Sequence, residues 1–310
     1  MQQDEFIVVD GPLVKRVYTV LSKSPSIFQI SSIFKDDYSV DIQTRVDIRQ
    51  RNDNFELGMR FITSIQNNDE FYTDLNGMQS KLPLQANFYP MPASAFIEDS
   101  TIRLSLLGSQ ALGVASLKSG YLEVMLDRRL QQDDNRGLFQ PVVDNKPTVS
   151  KFRLLVEPLS SPNQDKDSRI GFLSPVGFSL SMLLHYPSVI MMSDSTTTPT
   201  SVKTIDDKGL HCDLHAVTLR TLSQPKDYNS NTVKAQHSAA LILHRTVTDC
   251  RSKLLLENSC RNAPLEFKPS EFLPSTRTAV NGSLTLLYEG QSIDRVKVEP
   301  EMISTVKVGW

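Results

Sequence analysis

Short stretches in which apolar and polar residues alternate run through most of this chain, and they constrain its fold more than any other feature. Every second residue is apolar in "TIRLSLL" at 101–107, and in "SVDIQTRVDIR" at 39–49 one face carries Val40, Ile42, Thr44, Val46 and Ile48. "FELGMRFITSI" at 55–65 repeats the pattern. A period of two residues is typical of a strand with one buried face. Similar runs follow as far as "MISTVKV" near the end, separated by turn-rich spacers such as "QNNDE" and "DDNRG".

Helical patterns are scarce. One candidate is "PVGFSLSMLLH", residues 175–185, which has proline at its start and Pro187 just beyond its end. Its serines also alternate with apolar neighbours, so a buried strand is the competing interpretation. Many strands with little helix predict an all-β protein, an antiparallel sandwich or a larger β-assembly.

Two polar stretches interrupt the strand pattern. "PLSSPNQDKDSR" at 158–169 and "SDSTTTPTSVKTIDDKG" at 193–209 are rich in proline, serine, threonine and charged residues. Such composition is typical of surface loops or linkers. We therefore predict a boundary near residue 165, with one β-domain at 1–165 and a second β-sandwich-like part at 166–310.

Charge and hydropathy exclude two classes of partner. The 310 residues carry 33 basic and 35 acidic side chains, a net charge of -2, which gives no electrostatic reason to expect nucleic acid. No apolar run approaches the roughly 18 residues of a membrane span. The first residues lack the layout of a signal peptide. We expect no membrane segment in this chain.

The three cysteines leave their redox state open. Cys250 and Cys260 could close a short disulfide loop in an oxidising compartment, which leaves Cys212 over. Three reduced thiols are the alternative. The sequon at Asn281 fits a secreted or luminal protein.

The segment "HCDLH" at 211–215 is the strongest metal candidate. On a strand, His211, Asp213 and His215 share a face but are spaced about 7 Å apart per pair, too far for one ion. We therefore predict no metal site, and interpret the segment as a solvent-facing polar strand edge. His185 and His244 lie among apolar residues, where satisfied structural histidines are expected.

The motifs of common hydrolases and nucleotide-binding proteins are absent. The chain has no G-x-S-x-G nucleophile elbow, no G-x-x-x-x-G-K-[ST] and no G-x-G-x-x-G. A glycosidase needs two carboxyl groups about 5 to 10 Å apart across the sugar. Asp133 and Asp134 are adjacent, and nothing in their surroundings separates their pKa values. We predict no catalytic residue in this chain.

The stretch "LDRRLQQDDNRGL" at 126–138 is interpreted as a surface turn after a strand. We expect the aspartates to cap backbone N–H groups. We also expect Arg128, Arg129 and Arg136 to pair with them.

Several motifs together resemble one family. "FYTDLNG", "KLPLQANFYPMP", "LGVASLKSGYLEVMLDRRLQQDDNRGL" and "FRLLVE" occur in this order between residues 71 and 157. This series resembles the carboxy-terminal β-region of glycoside hydrolase family 38, and within it the Golgi type that trims N-glycans. The later stretches "CDLHAVTLRTL" and "AALILHR" are similar to the same region, more loosely.

The resemblance implies a fold, a site and partners. It implies a large antiparallel β-supersandwich, similar to galactose mutarotase, with a further β-sandwich part. By position, Arg136 would contact mannose hydroxyls at the rim of the sugar pocket, with Asp133, Asp134 and Gly137 holding the turn. The implied partners are a mannose-containing N-glycan and the amino-terminal catalytic domain, in the Golgi lumen. Zinc, its ligands, the nucleophile and the membrane anchor are expected outside this chain.

Three functions stay open from the sequence. The first is the carboxy-terminal part of a zinc-dependent retaining α-mannosidase of N-glycan processing, inactive as an isolated chain. The second is a stand-alone carbohydrate-binding or interaction module without catalysis. The third is a truncated product that exposes an apolar docking surface.

Overall fold

A computed structural model describes residues 5–76, 78–81, 87–133, 135–137, 139–160, 171–190, 192, 211, 213–223, 234–254, 265–271 and 273–310. Within these residues, nearly all regular structure is antiparallel β-strand. Contacts between residues divide the chain into two compact units. No helix in the described part is long and apolar enough to cross a membrane.

The first unit contains two sheets and one helix. Its elements in chain order are β1 Glu5–Asp10, β2 Val14–Lys23, β3 Ser26–Phe34, β4 Ser39–Asp47, β5 Phe55–Ile62, β6 Tyr72–Leu75, β7 Gln79–Lys81, β8 Tyr89–Met91, β9 Ser94–Glu98, β10 Ile102–Gly108, β11 Leu112–Ala115, β12 Tyr121–Arg129, β13 Thr148–Pro158 and the helix α1 Pro175–His185. In the described residues the larger sheet has nine strands, in the order β1-β2-β3-β4-β13-β10-β9-β6-β7. The smaller sheet has four, in the order β5-β12-β11-β8.

The two sheets pack face to face around one apolar core. Ile42 of β4 and Phe152 of β13 belong to the same buried cluster as Val124 of β12. The apolar residues of β5 pack against this cluster and are partly buried, as their alternation predicts. The predicted all-β supersandwich with little helix is confirmed.

The helix α1 covers part of the outer face of the larger sheet. It spans the predicted 175–185, and its Val176 and Leu180 pack with Leu107 of β10 and Leu155 of β13. The Ser174 hydroxyl accepts a hydrogen bond from the Gly177 N–H at 2.9 Å, which caps the first turn. The competing interpretation of this segment as a strand is wrong.

The motif "FYTDLNG" forms one strand and the turn of a hairpin, and it holds the next segment. β6 pairs with β7 around Asn76, which has a positive φ of 55°. The buried carboxylate of Asp74 accepts hydrogen bonds from the N–H groups of Ala93 and Ser94, at 2.9 and 2.6 Å. The Thr73 hydroxyl donates to the Pro90 carbonyl at 2.6 Å. These bonds hold the segment around Pro90, which lies in the edge strand β8 and has no N–H to donate to a ladder.

The second unit is a smaller sandwich. Its strands are β14 Leu214–Ser223, β15 Ala235–Arg245, β16 Leu265–Phe267, β17 Thr278–Gly282, β18 Glu289–Ser292, β19 Val296–Val298 and β20 Ile303–Gly309. Five of them form a sheet in the order β14-β15-β20-β17-β18, and β16 pairs with β19. Leu241 of β15, Val306 of β20 and Phe267 of β16 share one buried cluster. The pair β16-β19 therefore packs on the five-stranded sheet of the second unit.

Each of the two units is built from three separate ranges of the chain, so no single position separates them. The first comprises Met1–Lys166, Ile170–Ser188 and Asp249–Leu256, and the second comprises Asp167–Arg169, Val189–Thr248 and Glu257–Trp310. Residue 165 itself lies outside the described residues, so the predicted boundary there stays a prediction.

Candidate functional site

The predicted site is a loop that leaves β12 and is closed at its base. Leu130 and Val142 form an isolated antiparallel bridge, in which each N–H donates to the other residue's carbonyl at 3.0 Å. The Gln131 N–H donates to Asn54 Oδ1 at 2.8 Å, and Asn54 Nδ2 donates to Gln132 Oε1 at 2.7 Å. The first residues of the loop are therefore bound to the segment that precedes β5.

Arg129 and Asn145 fix the two ends of the loop to each other. Arg129 Nε donates to the Arg51 carbonyl at 2.7 Å, and its Nη1 donates to the Val143 carbonyl at 2.6 Å. Arg129 Nη1 also donates to Asn145 Oδ1 at 3.0 Å. Asn145 Nδ2 in turn donates to Asp127 Oδ1 at 2.9 Å. A half-buried guanidinium that satisfies several carbonyl oxygens holds this geometry better than a surface ion pair does.

The predicted pairing of arginines with the loop aspartates is wrong at two positions. Arg128 pairs with Glu56 at 3.2 Å, because the two residues are directly opposite in the β12–β5 ladder and their side chains share a face of the sheet. Arg129 binds backbone carbonyls, as described above. The predicted cap is confirmed at Asp133, whose Oδ2 accepts the Asn135 N–H at 2.9 Å. Asp134 lies outside the described residues.

The tip of the loop presents Arg136 to solvent. Asn135 and Gly137 on either side have positive φ values of 58° and 109°. A Cβ at Gly137 would meet nothing within 4 Å, so backbone conformation rather than crowding favours glycine there. Phe139, also at positive φ, has 81% of its side chain exposed. The tip of the loop therefore exposes an arginine and a phenylalanine side chain.

A buried ionic network lies elsewhere in the first unit and was missed by the sequence analysis. Arg103 of β10 is 0% exposed, and its Nε donates to Glu98 Oε2 at 2.7 Å. Its Nη2 donates to Asp249 Oδ2 at 2.5 Å, and its Nη1 to the Phe172 carbonyl at 3.0 Å. Arg251 completes the network by binding Glu98 Oε1 at 2.7 Å and both carboxylate oxygens of Asp249.

The alternation in "TIRLSLL" predicts that Arg103 and Ser105 lie on one face of β10 and Leu104 and Leu106 on the other, and this is correct. The face with Arg103 is nevertheless buried, because α1 and residues 249–254 cover it. The ring of Phe96 stacks under the guanidinium at 4.3 Å, and Tyr72 stacks on Phe96 at 4.7 Å. Asp249 lies 146 residues from Arg103, so no local pattern could reveal the pair.

Burial and hydrogen bonding shift the pKa values in this region. Burial lowers the pKa of Arg251, but the hydrogen bonds to Asp249 and Glu98 outweigh it and raise that pKa above its ordinary value. Burial raises the pKa of the Tyr72 phenol. Arg251 therefore stays charged over the physiological range.

A cavity of about 570 Å³ opens beside this network, a volume in the range of small-molecule sites. Its lining is mostly polar and consists of Gln66, Asn67, Asn68, Glu70, Tyr72, Glu98, Asp99, Ser100, Thr101 and Arg251. Glu98 accepts a hydrogen bond from Arg103 Nε, and Asp99 accepts one from the Ile102 N–H. Glu70 and Tyr72 line the same space. The mixture of donors and acceptors suits a neutral, oxygen-rich ligand.

The segment "HCDLH" is only partly the exposed strand edge that was expected. β14 begins at Leu214, and Asp213 before it is buried, where Arg245 donates to its Oδ2 at 2.8 and 3.1 Å. His211 Nδ1 lies 2.6 Å from Asp213 Oδ1. Asp213 therefore holds a buried arginine. Among the described residues there is no group of three or more side chains that could hold a metal ion.

The expectation of satisfied histidines is wrong for His244. It is buried, and neither ring nitrogen has a hydrogen-bond partner among the described residues. Burial, and the nearby His215 across the β14–β15 ladder, lower its pKa. Cys250 is half-buried, whereas Cys212 and Cys260 lie outside the described residues, so the disulfide pairing stays open.

Comparison with known proteins identifies the family. Residues 1–136 match the "Glycosyl hydrolases family 38 C-terminal domain". The chain is 38% identical to "Alpha-mannosidase 2" of Homo sapiens over 290 residues, which cover 87% of this chain and 25% of that protein. It is 52% identical to the Drosophila melanogaster "Alpha-mannosidase 2" over 128 residues, which cover 39% of this chain and 12% of that protein.

A solved structure shows the same fold. The crystal structure of an alpha-mannosidase from Enterococcus faecalis V583 matches with a TM-score of 0.57 at 11% identity, over 98% of this chain and 35% of that one. The chain belongs to the carboxy-terminal β-region of glycoside hydrolase family 38. Within the family it resembles the alpha-mannosidase 2 proteins, and it spans about a quarter of the length of the human, rat and mouse relatives.

Proposed function

We propose that this chain forms the carboxy-terminal part of a zinc-dependent, retaining α-mannosidase that hydrolyses α-mannosidic bonds of N-glycans in the Golgi lumen. In this proposal the chain supports the amino-terminal catalytic domain and completes the rim of the sugar pocket. The relatives of this chain carry the name alpha-mannosidase and are about four times as long as the part it matches.

The observation that carries the proposal is the braced loop after β12. Arg129, Asn145 and Asn54 hold its base, while Arg136 is exposed at its tip. An immobile loop loses little conformational entropy when it binds a ligand. The several N–H donors of Arg136 suit the hydroxyl oxygens of a sugar. Asp133 is engaged with Asn135, so in this proposal it holds the loop and does no chemistry.

The reacting groups are proposed to lie outside this chain. A retaining glycosidase uses two carboxyl groups about 5 to 5.5 Å apart, one as nucleophile and one as acid and base. Zinc bound by the parent enzyme would fix sugar hydroxyls. The described residues offer no cluster of ligands that fits this ion, so no step of the reaction is assigned to them.

The test uses a chimera in which this chain replaces the matching quarter of the human relative. We expect the chimera to release mannose from an aryl α-mannoside and the isolated chain to release none, even with added zinc. Arg136→Ala should lower kcat/KM of the chimera about tenfold or more, equivalent to about 1.4 kcal/mol of transition-state binding.

The matched control is Arg128→Ala. Arg128 is also exposed, but it pairs with Glu56 on β5 instead of facing outward at the loop tip. Equal activity of the two variants would contradict the proposed contact between Arg136 and the sugar. Mannose release by the isolated chain would contradict its supporting role.

The cavity near Tyr72 favours a second candidate function, a carbohydrate-binding module without catalysis. Calorimetric titration of the isolated chain with methyl α-mannoside would then show saturable binding. Glu70→Gln and Tyr72→Phe should weaken this binding, whereas Glu56→Gln on β5 should leave it unchanged. Absence of binding would exclude this alternative for that sugar.

A further inference from the structure

The sequence contains a single Asn-x-Ser or Asn-x-Thr sequon, Asn281-Gly282-Ser283, and the structure places it in a hairpin of the second unit. In the sheet of this unit, β17 lies between β20 and β18. Asn281 pairs with Val306 of β20, and Gly282 pairs with Glu289 of β18. The sequon therefore begins inside a strand and ends at the first residue of a turn.

The side chain of Asn281 is exposed and makes no hydrogen bond with the described residues. Other asparagines of the chain differ in this respect, since the side-chain amides of Asn54, Asn67 and Asn145 hold loops in place. The amide of Asn281 has no such role in the fold, so its nitrogen is available for a covalent bond.

The side chain of Ser283 is engaged in the folded turn. Its hydroxyl accepts a hydrogen bond from the Tyr288 N–H at 3.1 Å and lies 3.2 Å from the hydroxyl oxygen of Thr285. The Ser283 N–H donates to the Tyr288 carbonyl at 2.9 Å. These bonds account for a serine at this position, but they involve no atom of the Asn281 side chain.

The turn that follows the sequon is apolar and exposed. Leu284 is 56% exposed, Leu287 76% and Tyr288 74%. Neighbouring exposed apolar side chains favour association with other molecules. A glycan is bulky and solubilising, so one attached beside this turn would keep other proteins from approaching it.

We propose that Asn281 carries an N-linked glycan that shields this apolar turn. The step is a group transfer from a lipid-linked oligosaccharide pyrophosphate. A bond forms between Asn281 Nδ2 and the anomeric carbon of the first sugar, and the bond from that carbon to the pyrophosphate oxygen breaks. The lipid pyrophosphate is the leaving group, the amide nitrogen loses one proton, and nothing is oxidised or reduced.

The sequon and its surroundings favour this transfer. Its middle residue is glycine, whereas proline at that position would prevent modification. The transferase acts on the chain before it folds, so the pairing of β17 does not oppose the reaction. In the folded protein the exposed position leaves room for the glycan. The inference rests on the proposed function, since it requires the chain to enter the secretory pathway that leads to the Golgi lumen.

The test uses the full chain behind a secretion signal, produced in insect cells. Peptide N-glycosidase converts a glycosylated asparagine to aspartate, and in water labelled with heavy oxygen the aspartate is labelled. Peptide mass mapping then measures the occupancy of Asn281. A parallel digest without the enzyme corrects for spontaneous deamidation of the Asn281-Gly282 pair.

We expect at least about half of the secreted chains to carry the glycan at Asn281. Asn281→Gln and Ser283→Ala should each abolish it, whereas Ser283→Thr keeps the hydroxyl and should retain it. Asn135→Gln is the matched control, because Asn135 is exposed but lies outside any sequon, and it should leave the occupancy unchanged. Since transfer precedes folding, occupancy in the cell lysate is measurable even for a variant that folds poorly.

Loss of the glycan should uncover the turn. Light scattering should show at least about twofold more self-association for Asn281→Gln than for the glycosylated chain. Leu287→Ser in the same variant should reverse this increase, because it removes part of the apolar surface. Equal self-association of the glycosylated chain and Asn281→Gln would contradict the shielding role.

Occupancy below about one tenth in the unsubstituted chain would overturn the proposal. An active chimera with the human relative in which Asn281 is unmodified would also overturn it, and would leave the proposed function intact. A chimera that is glycosylated at Asn281 but releases no mannose would count against the proposed function alone.

Discussion

Two arginine-rich regions of the first unit show how burial assigns different roles to the same side chain. In the network of Glu98, Arg103, Asp249 and Arg251, three of the four side chains are buried, Glu98 is 10% exposed, and every charge is paired within the protein. In the loop after β12, Arg129 binds carbonyl oxygens at the base and Arg136 is exposed at the tip. The network holds residues 249–254 against β9 and β10, whereas the tip of the loop has an exposed arginine.

The largest expected effect comes from breaking the buried network. Arg103→Ala leaves the carboxylates of Glu98 and Asp249 buried with one partner fewer, and should lower the free energy of unfolding by about 3 to 5 kcal/mol. Denaturant unfolding measures this. Arg128→Ala, which breaks an exposed pair, should cost about 0.5 kcal/mol, and similar costs for both variants would contradict the distinction.

The base of the loop should show an intermediate effect. Arg129→Ala removes the donors for the Arg51 and Val143 carbonyls, and should cost about 1 to 3 kcal/mol of unfolding free energy. Arg129→Lys should restore only part of this, because a lysine cannot reach both carbonyls with a planar fork. A loss below that of Arg128→Ala would show that the loop is not braced in this way.

The conformation of the loop tip is expected to have a smaller effect. Gly137→Ala adds a methyl group that contacts nothing, so its cost of about 1 kcal/mol would come from the positive φ of 109° alone. Hydrogen exchange of the loop amides measures the loosening. Gly290→Ala is the control, since Gly290 is in β18 without a positive φ but close to Asn281. An unchanged exchange rate near Arg136 would contradict a strained tip.

His244 is buried and its ring nitrogens have no hydrogen-bond partner among the described residues, so it should make stability depend on pH. Burial lowers the pKa of His244 from 6.5, so the unfolded chain binds more protons than the folded chain between the two pKa values. The free energy of unfolding of the second unit should therefore fall as pH drops through and below about 6.5. His244→Phe should remove this dependence and the exposed His237→Gln should not, as measured by unfolding at pH 8 and pH 5.5. An identical pH profile for all three proteins would exclude the effect.

Much of the fold could be predicted because strands and caps are local features. The alternation at 101–107 predicted which face of β10 packs in the core, and the prolines around 175–185 predicted the helix bounds. The dipeptide Asn76-Gly77 favours a tight turn, and β6 and β7 form a hairpin at this position. The predicted cap at Asp133 also depends on a neighbour only two residues away.

The missed features all involve partners distant in the sequence. Arg103 and Asp249 meet only because residues 249–254 return to the first unit. Arg128 pairs with β5, and Asp213 with Arg245 on the next strand, so strand pairing selects these partners and local charge spacing does not. An alternating pattern shows that two faces differ, but it does not show whether the polar face meets water.

The sequence by itself determined the β-class, the strand faces, the single α-helix among the described residues and the series of motifs shared with family 38. Tertiary structure alone decided that Arg103 is buried and that Arg129 braces a loop. The physical reason is that periodicity acts through neighbours along the chain. Whether a charged or an apolar side chain is buried depends on which distant segments of the chain pack against it.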